Sequence, residues 1–308
     1  MGDLIAGLCI AKNEADIIEA MVRHNLAFLD RLHVVDNDST DGTLAILKLL
    51  GLEFFGRLTW STDERTGHMQ KDIINELLPT LHPDMGISHV VVLDADEFIS
   101  AEPQDFRTQL LASDAPVQLP WVTYVPTAHD DMSEPNPIVR INRRRRRERP
   151  QHYKVTIPGR LIGKALVRAG GRLLKGRNMP APVSLPGITL AHFPVRSREQ
   201  LISKVLIGSW SVRFRGPLKG KEAYHWHALA ARILAGDMLS DSDIHSIALN
   251  YAADKEVALM RDPLPEHCGP LRYTDDGPHL LLRNLIAFAE SCVIWREAQQ
   301  PESRAAGN

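Results

Sequence analysis

Cysteine is scarce in this 308-residue chain. Cys9, Cys268 and Cys292 lie far apart and match no zinc-ligand spacing, and an odd, sparse set argues against a disulfide scaffold. Cys9 sits within an apolar run and reads as a small core residue. No window approaches 18 apolar residues, which excludes a membrane-spanning helix. The first residues, Met1-Gly-Asp-Leu-Ile5, lack the basic and apolar regions of a secretory signal, so a cytoplasmic location is expected. Net charge is nearly absent: 36 basic against 38 acidic residues gives −2, so no global field draws nucleic acid or membrane. Internal repeats are lacking too.

What is present is an alternation of short apolar runs and helical patterns. Leu4 to Ala11, Leu32 to Val35, Phe54 to Trp60 and Val90 to Leu93 read as strands. Between them fall helices, the first capped by Asn13, the second running from Leu44 to Leu50 and stopped by Gly51, the third from Lys71 to Leu78. This rhythm predicts an α/β protein with a mostly parallel sheet flanked by helices. Val117 to Val125 and Arg160 to Val167 are further strand candidates in a less regular middle. From Ser197, whose Ser-Arg-Glu-Gln200 resembles a capping box, the pattern becomes helical, with helices expected over 222–235, 241–254 and 279–297. The expected division is a nucleotide-binding and catalytic domain over 1–196, a helical extension over 197–300 and a disordered tail over 301–308.

Two strands end abruptly in acids: Asp36-Asn-Asp-Ser-Thr-Asp-Gly42 after the second, Asp94-Ala-Asp-Glu97 after the fourth. Ligands of open parallel sheets bind beyond the carboxyl ends of the strands, where both clusters fall. Asp94 and Asp96 have the spacing and oxygen chemistry to hold Mg²⁺ or Mn²⁺ against a diphosphate. Alone, such a pair also arises as a surface turn. Ser39 to Gly42 are explained by capping and turn chemistry, but Asp36 and Asp38 are not, and a carboxylate there can accept from a base N–H or ribose hydroxyls.

Taken together, Cys9-Ile-Ala-Lys-Asn-Glu14, Val34-Val-Asp-Asn-Asp-Ser-Thr-Asp-Gly-Thr43 and Val92-Leu-Asp-Ala-Asp-Glu-Phe98 resemble glycosyltransferase family 2, with a GT-A (Rossmann-like) fold, in its branch with an Asp-Ala-Asp-Glu-Phe motif. The resemblance is clear over about residues 4–100 and weaker near 150–205. It implies an inverting, metal-dependent transfer of a sugar from a nucleoside diphosphate sugar, UDP-linked by expectation, to a polysaccharide or lipid-linked acceptor. It puts Ala11, Asn13, Glu14, Asp36 and Asp38 beside the nucleotide, Asp94 at the ribose or diphosphate, and Asp96 at the metal. Gln70 and Lys71, in Gly67-His-Met-Gln-Lys71, are further donor candidates, and His192 is a third metal-ligand candidate. His152, Lys154 and Arg160 are weaker candidates for diphosphate or acceptor contacts.

The catalytic base has no clear equivalent. Asp131 or Asp130 is the nearest acidic pair downstream, and Glu97 is the alternative. The five arginines of Arg143–Arg147 read first as a solvated loop. The other reading is a grip for a phosphorylated acceptor or an anionic lipid head group at the inner face of the membrane. A nucleotidyltransferase would prefer a glycine-rich phosphate loop that Ala11-Lys-Asn-Glu14 does not supply. A non-catalytic nucleotide- or carbohydrate-binding protein is the remaining alternative.

Overall fold

A computed structural model describes residues 2–65, 70–81, 85–168, 171–214, 224–253, 257–275, 277 and 279–298. The expected tail and Gly67 to Met69 lie outside these residues.

The first half lays down β1 (Leu4–Ala11), α1 (Ile18–Asn25), β2 (Arg31–Asp36), α2 (Thr43–Glu53), β3 (Leu58–Thr62), α3 (Gln70–Leu77), β4 (Ile87–Asp94), β5 (Glu97–Ser100), α4 (Pro103–Leu111) and β6 (Val117–Thr123). Then come α5 (Pro137–Arg140), β7 (Arg143–Arg145), β8 (Tyr153–Val155), β9 (Ile157–Pro158), β10 (Leu166–Arg168), β11 (Leu173–Lys175), β12 (Val183–Ser184) and β13 (Thr189–His192). The last third holds α6 (Arg198–Phe214), α7 (Tyr224–Leu234), α8 (Asp241–Leu249), β14 (Leu259–Arg261) and α9 (His279–Ala298).

The main sheet has the order β3-β2-β1-β4-β9, with β3, β2, β1 and β4 parallel and β9 antiparallel. Chain order reverses between β1 and β4, so the switch point of this sheet lies at the carboxyl ends of those two strands. The central strands β1 and β4 read as near-continuous apolar runs because both of their faces are covered. On β4, Val91 and Leu93 enter one core cluster while Val90 and Val92 enter another, as the period of two requires. A second sheet, β12-β6-β13-β5 with β8 paired to β6, continues from the end of β4.

Helix α1 is buried on every side, including Glu19, Arg23, His24 and Asn25. His24 Nε2 lies 2.7 Å from Ile99 O, while the Asn25 amide accepts from Ile99 N and donates to Glu97 O. These bonds serve β5 as a neighbouring strand would, and they fix the turn after β4. On the outer side the Glu19 carboxylate accepts backbone N–H groups of Arg272, Tyr273 and Thr274. Leu264 and Cys268 belong to the main core. The extension expected from residue 197 is therefore helical only in part, since its segment 259–275 returns to clamp the sheet domain.

Four local expectations change. Asn13 does not cap α1, which begins at Ile18; it adopts φ 56° and bridges to the next loop. Gly51 does not stop α2. It lies inside the helix, where a Cβ would stand 3.2 Å from the Trp60 ring. Residues 160–167 form a short turn and the start of β10 rather than one strand. The arginine run is not a solvated loop: Arg143–Arg145 is β7, paired antiparallel with β14. Arg145 is buried at 2% exposure and donates to the carbonyls of Ala248 and Tyr251, closing the end of α8. Arg144 bonds Asp262, while Arg146 and Arg147 are exposed. Among the described residues no helix is long and apolar enough to cross a membrane.

Candidate active site

The register brings the two acidic loops to opposite sides of one strand. Ala11 pairs with Asp36 across β1 and β2, and Ile10 pairs with Asp94 across β1 and β4. At these ends three parallel strands stop together and their loops meet.

The loop after β2 is tied to the loop after β1 by hydrogen bonds of Asn13, Ser39, Thr40 and Thr43 and by the Lys12 ammonium. Asn13 Oδ1 accepts from Thr40 N at 2.7 Å, Asn13 N donates to Ser39 Oγ at 2.9 Å, and Glu14 N donates to Thr43 Oγ1 at 2.9 Å. Asn13 and Asp38 both hold left-handed backbone, with φ 56° and 57°, a conformation Asn and Asp tolerate better than most residues. Asp36 is 2% exposed, and Ser39 N serves one of its carboxylate oxygens at 3.1 Å. Its other oxygen, Oδ1, is buried without a partner. Burial raises the Asp36 pKa above the ordinary value, with Ser39 and Lys12 opposing. Lys12 Nζ donates to the carbonyls of Asn37 and Asp38 and stands 3.9 Å from the Asp38 carboxylate.

The loop after β4 is built on charge instead. Asp94 Oδ1 lies 2.7 Å from Lys154 Nζ and also accepts from the Gln70 amide. Asp96 Oδ2 lies 2.6 Å from Lys204 Nζ and 3.9 Å from Arg196 Nη1. Burial alone would push the Asp96 carboxyl up, but Lys204 and Arg196 outweigh it and hold it well below the ordinary range. His192 Nε2 is 3.7 Å from Asp96 Oδ1, and its ring stacks on Trp121 at 4.1 Å between centroids. Burial lowers the His192 pKa to about 4, so the imidazole is neutral at neutral pH. Glu97 is fully buried, accepting from Trp121 Nε1 at 2.7 Å and Asp94 N at 2.8 Å. Burial, with Asp94 beside it, lifts its pKa to about 8. It shapes the loop and faces no open space, which does not suit the base role considered for it.

Between this edge and α6 lies a cleft of about 170 Å³. Ile10 to Glu14, Asn37 and Gln70 form one wall; Gln200, Ser203 and Lys204 of α6 begin the other, and Trp226 of α7 completes it. Gly208 also lines it, and a Cβ there would stand 2.8 Å from the Trp226 ring, so glycine is what lets the two helices close together. Among the described residues of this lining, Glu14 is the one carboxylate. Its Oε2 lies 2.5 Å from Arg196 Nη2, and burial lifts its pKa to about 7 despite that partner.

Of the residues singled out in the sequence, Ala11, Asn13, Glu14 and Gln70 line the cleft, with Asp36, Asp94, Asp96 and His192 directly behind. Lys71 does not: it is exposed and paired with Asp72. Asp130 and Asp131 are not brought here. Asp130 accepts from Thr127 on a separate, wider cleft of about 860 Å³, and exposed Asp131 accepts from Ser133. Arg160 bonds Asp114 O and His152 lies 3.3 Å from Ala252 O, both outside the cleft lining. The expected metal donors do not fit a divalent ion as they stand, because Lys154 and Gln70 occupy Asp94 Oδ1 and Lys204 occupies Asp96 Oδ2. Among the described residues, no group of three or more His, Cys, Asp and Glu could hold one. Sequence reasoning missed Lys12, Arg196 and Lys204. Lys12 stands inside the first motif and was open to discovery; Lys204 lies 108 residues from Asp96 on a helix that carries no mark of it.

No family model matches this chain, and no curated protein matches it at a significant level. Solved structures are similar at low identity. Residues 1–349 of TarS from S. aureus share 15% identity over 76% of this chain and 71% of that one, with a TM-score of 0.40. A mannosyltransferase from Pyrobaculum calidifontis, solved with GDP-Man and Mn²⁺, shares 14% identity over 95% and 87%, with a TM-score of 0.39. Glucosyl-3-phosphoglycerate synthase from Mycobacterium tuberculosis, solved with Mn²⁺, UDP and phosphoglyceric acid, shares 18% over 41% and 44%, with a TM-score of 0.28.

Proposed function

We propose that this protein is a glycosyltransferase of the GT-A type, moving a sugar from a nucleoside diphosphate sugar to a hydroxyl acceptor. The observation that carries this reading is the cleft at the switch point, where two ammonium groups, Lys12 and Lys204, face the space outside β1 and β4. A diphosphate is the anion such a pair suits, and parallel sheets bind nucleotides at this edge. Behind it, the unpartnered Oδ1 of Asp36 is an acceptor with nothing to accept, which a base N–H or a ribose hydroxyl would correct. UDP is the expected nucleotide, and a polysaccharide or lipid-linked hydroxyl the expected acceptor.

In an inverting displacement the acceptor hydroxyl loses its proton as it attacks the anomeric carbon. A carboxyl with a pKa near neutrality is suited to take it. In this reading Glu14 does so, since it is the carboxylate on the cleft. Lys12 and Lys204 stabilise the charge that develops on the departing diphosphate.

The reading is tested by incubating the full chain with UDP-, GDP- and dTDP-sugars and measuring nucleotide release, alongside calorimetry of the same nucleotides. Release from one donor, lost in Glu14→Gln with binding retained, is the expected result. Binding without release by any donor would favour a binding protein, and binding of no nucleotide would end the proposal.

A further inference from the structure

A metal ion on an Asp-x-Asp pair needs carboxylate oxygens that are free and turned toward the diphosphate. Here neither aspartate lines the cleft; Lys204 and Gln70, the residues that hold them, do. Asp96 is 4% exposed, and its Oδ2 is taken by Lys204 at 2.6 Å. Asp94, with 30% of its side chain exposed, has its Oδ1 taken by both Lys154 and Gln70. Between Asp96 and the open space, where an ion would sit, stands the Lys204 ammonium, with 22% of its side chain exposed.

The position of that lysine is determined from both ends. α6 starts two residues after Arg196, whose guanidinium is locked by Asp16 at 2.6 and 2.8 Å and by Glu14 at 2.5 Å. Ser203 and Gln200, the helix neighbours of Lys204, line the same wall. Arg196 balances Glu14, while Lys204, backed by Asp96, and Lys12, 3.9 Å from the Asp38 carboxylate, both line the cleft.

Resting on the nucleoside diphosphate reading, we infer that Lys204 is the diphosphate-binding cation of this site, held by Asp96 in the place a divalent ion would take. The Asp-Ala-Asp motif is here a seat for lysines, and donor binding needs no metal. Lys204 contributes one charge and directed N–H donors to the phosphate oxygens.

Calorimetry of the full chain with UDP, GDP and dTDP, in EDTA and then in excess Mn²⁺, tests this. The expected result is that one nucleotide binds in EDTA, with an affinity that Mn²⁺ changes by less than about threefold. Lys204→Met should weaken that binding by about tenfold to a hundredfold, the worth of a charge-assisted bond. Lys204→Arg, which keeps the charge, should stay within about tenfold of wild type. Binding that appears only with Mn²⁺ would overturn the inference and leave the donor reading standing. Wild-type affinity in Lys204→Met would do the same. Binding of no nucleotide in either condition removes both. If Lys204→Met does not fold, the wild-type comparison and Lys204→Arg still decide.

Discussion

The loops after β2 and β4 share one sequence grammar, an apolar parallel strand ending in Asp-x-Asp, and yet they differ in kind. In the first, Asp36 accepts only from Ser39 N, one buried Asp36 oxygen has no partner, and Asp38 has a single lysine, Lys12, at 3.9 Å. In the second, Asp94 and Asp96 are matched by Lys154, Lys204 and Arg196. An under-satisfied loop is suited to donors supplied by a ligand, whereas a charge-matched loop holds the architecture together and presents one of its cations, Lys204, to the cleft. The lesson is that a motif fixes which groups stand at a sheet edge, while their neighbours in space decide what those groups are free to bind.

The largest effect should come from removing the cation that ties α6 to the sheet. Arg196→Met leaves Asp16 and Glu14 at a buried site without their counter-charge, and a loss of about 3–5 kcal/mol in urea unfolding is expected. A loss below about 1 kcal/mol would mean that the second loop does not depend on its charges, and the contrast between the loops would collapse.

Next in size is the comparison of Asp96→Asn with Asp36→Asn. The first should cost about 1–3 kcal/mol of stability, because Lys204 and Arg196 lose their charged partner. The second should cost less than about 1 kcal/mol, since it keeps an acceptor for Ser39 N, but should weaken nucleotide binding by about tenfold. The reverse ranking in stability would exchange the roles assigned to the loops.

A further effect is one of pH. The Glu97 pKa, lifted by burial and by Asp94 to about 8, exceeds the value near 4.3 of an unfolded glutamate. Between these values the folded state carries the extra proton, so this group makes stability fall as pH rises. Glu97→Gln lacks that slope, whatever constant cost it carries. The stability gap between wild type and variant should therefore narrow from about pH 5 to about pH 8, as read from urea midpoints. A gap that stays flat across this range would show that Lys154 keeps Glu97 ionised and that charge pairing reaches the whole second loop.

Legibility followed sequence distance. The parallel sheet, its strand ends and the helices from α6 onward were readable, because apolar periodicity and capping are local signals. The departures came where a remote partner overrode a local rule. Asn13 looked like a helix cap, but Thr40 draws it into a left-handed bridge. Gly51 looked like a stop, but Trp60 fills the space beside it. The arginine run looked solvated, yet β14 pairs with it and α8 ends on Arg145. The segment 262–275, to which no local pattern assigns a role, satisfies the buried carboxylate of Glu19.

By itself the sequence determined that two acidic loops would stand side by side at the carboxyl edge of a parallel sheet, because strand hydrophobicity and crossover handedness leave few other arrangements. Only the tertiary structure decided that one pair of acids would be enclosed by lysines from β8 and α6 while Asp36 kept a carboxylate oxygen without a partner. A carboxylate's chemistry depends on the charges within a few ångströms, and residues 60 to 108 positions apart meet there only once the chain has folded.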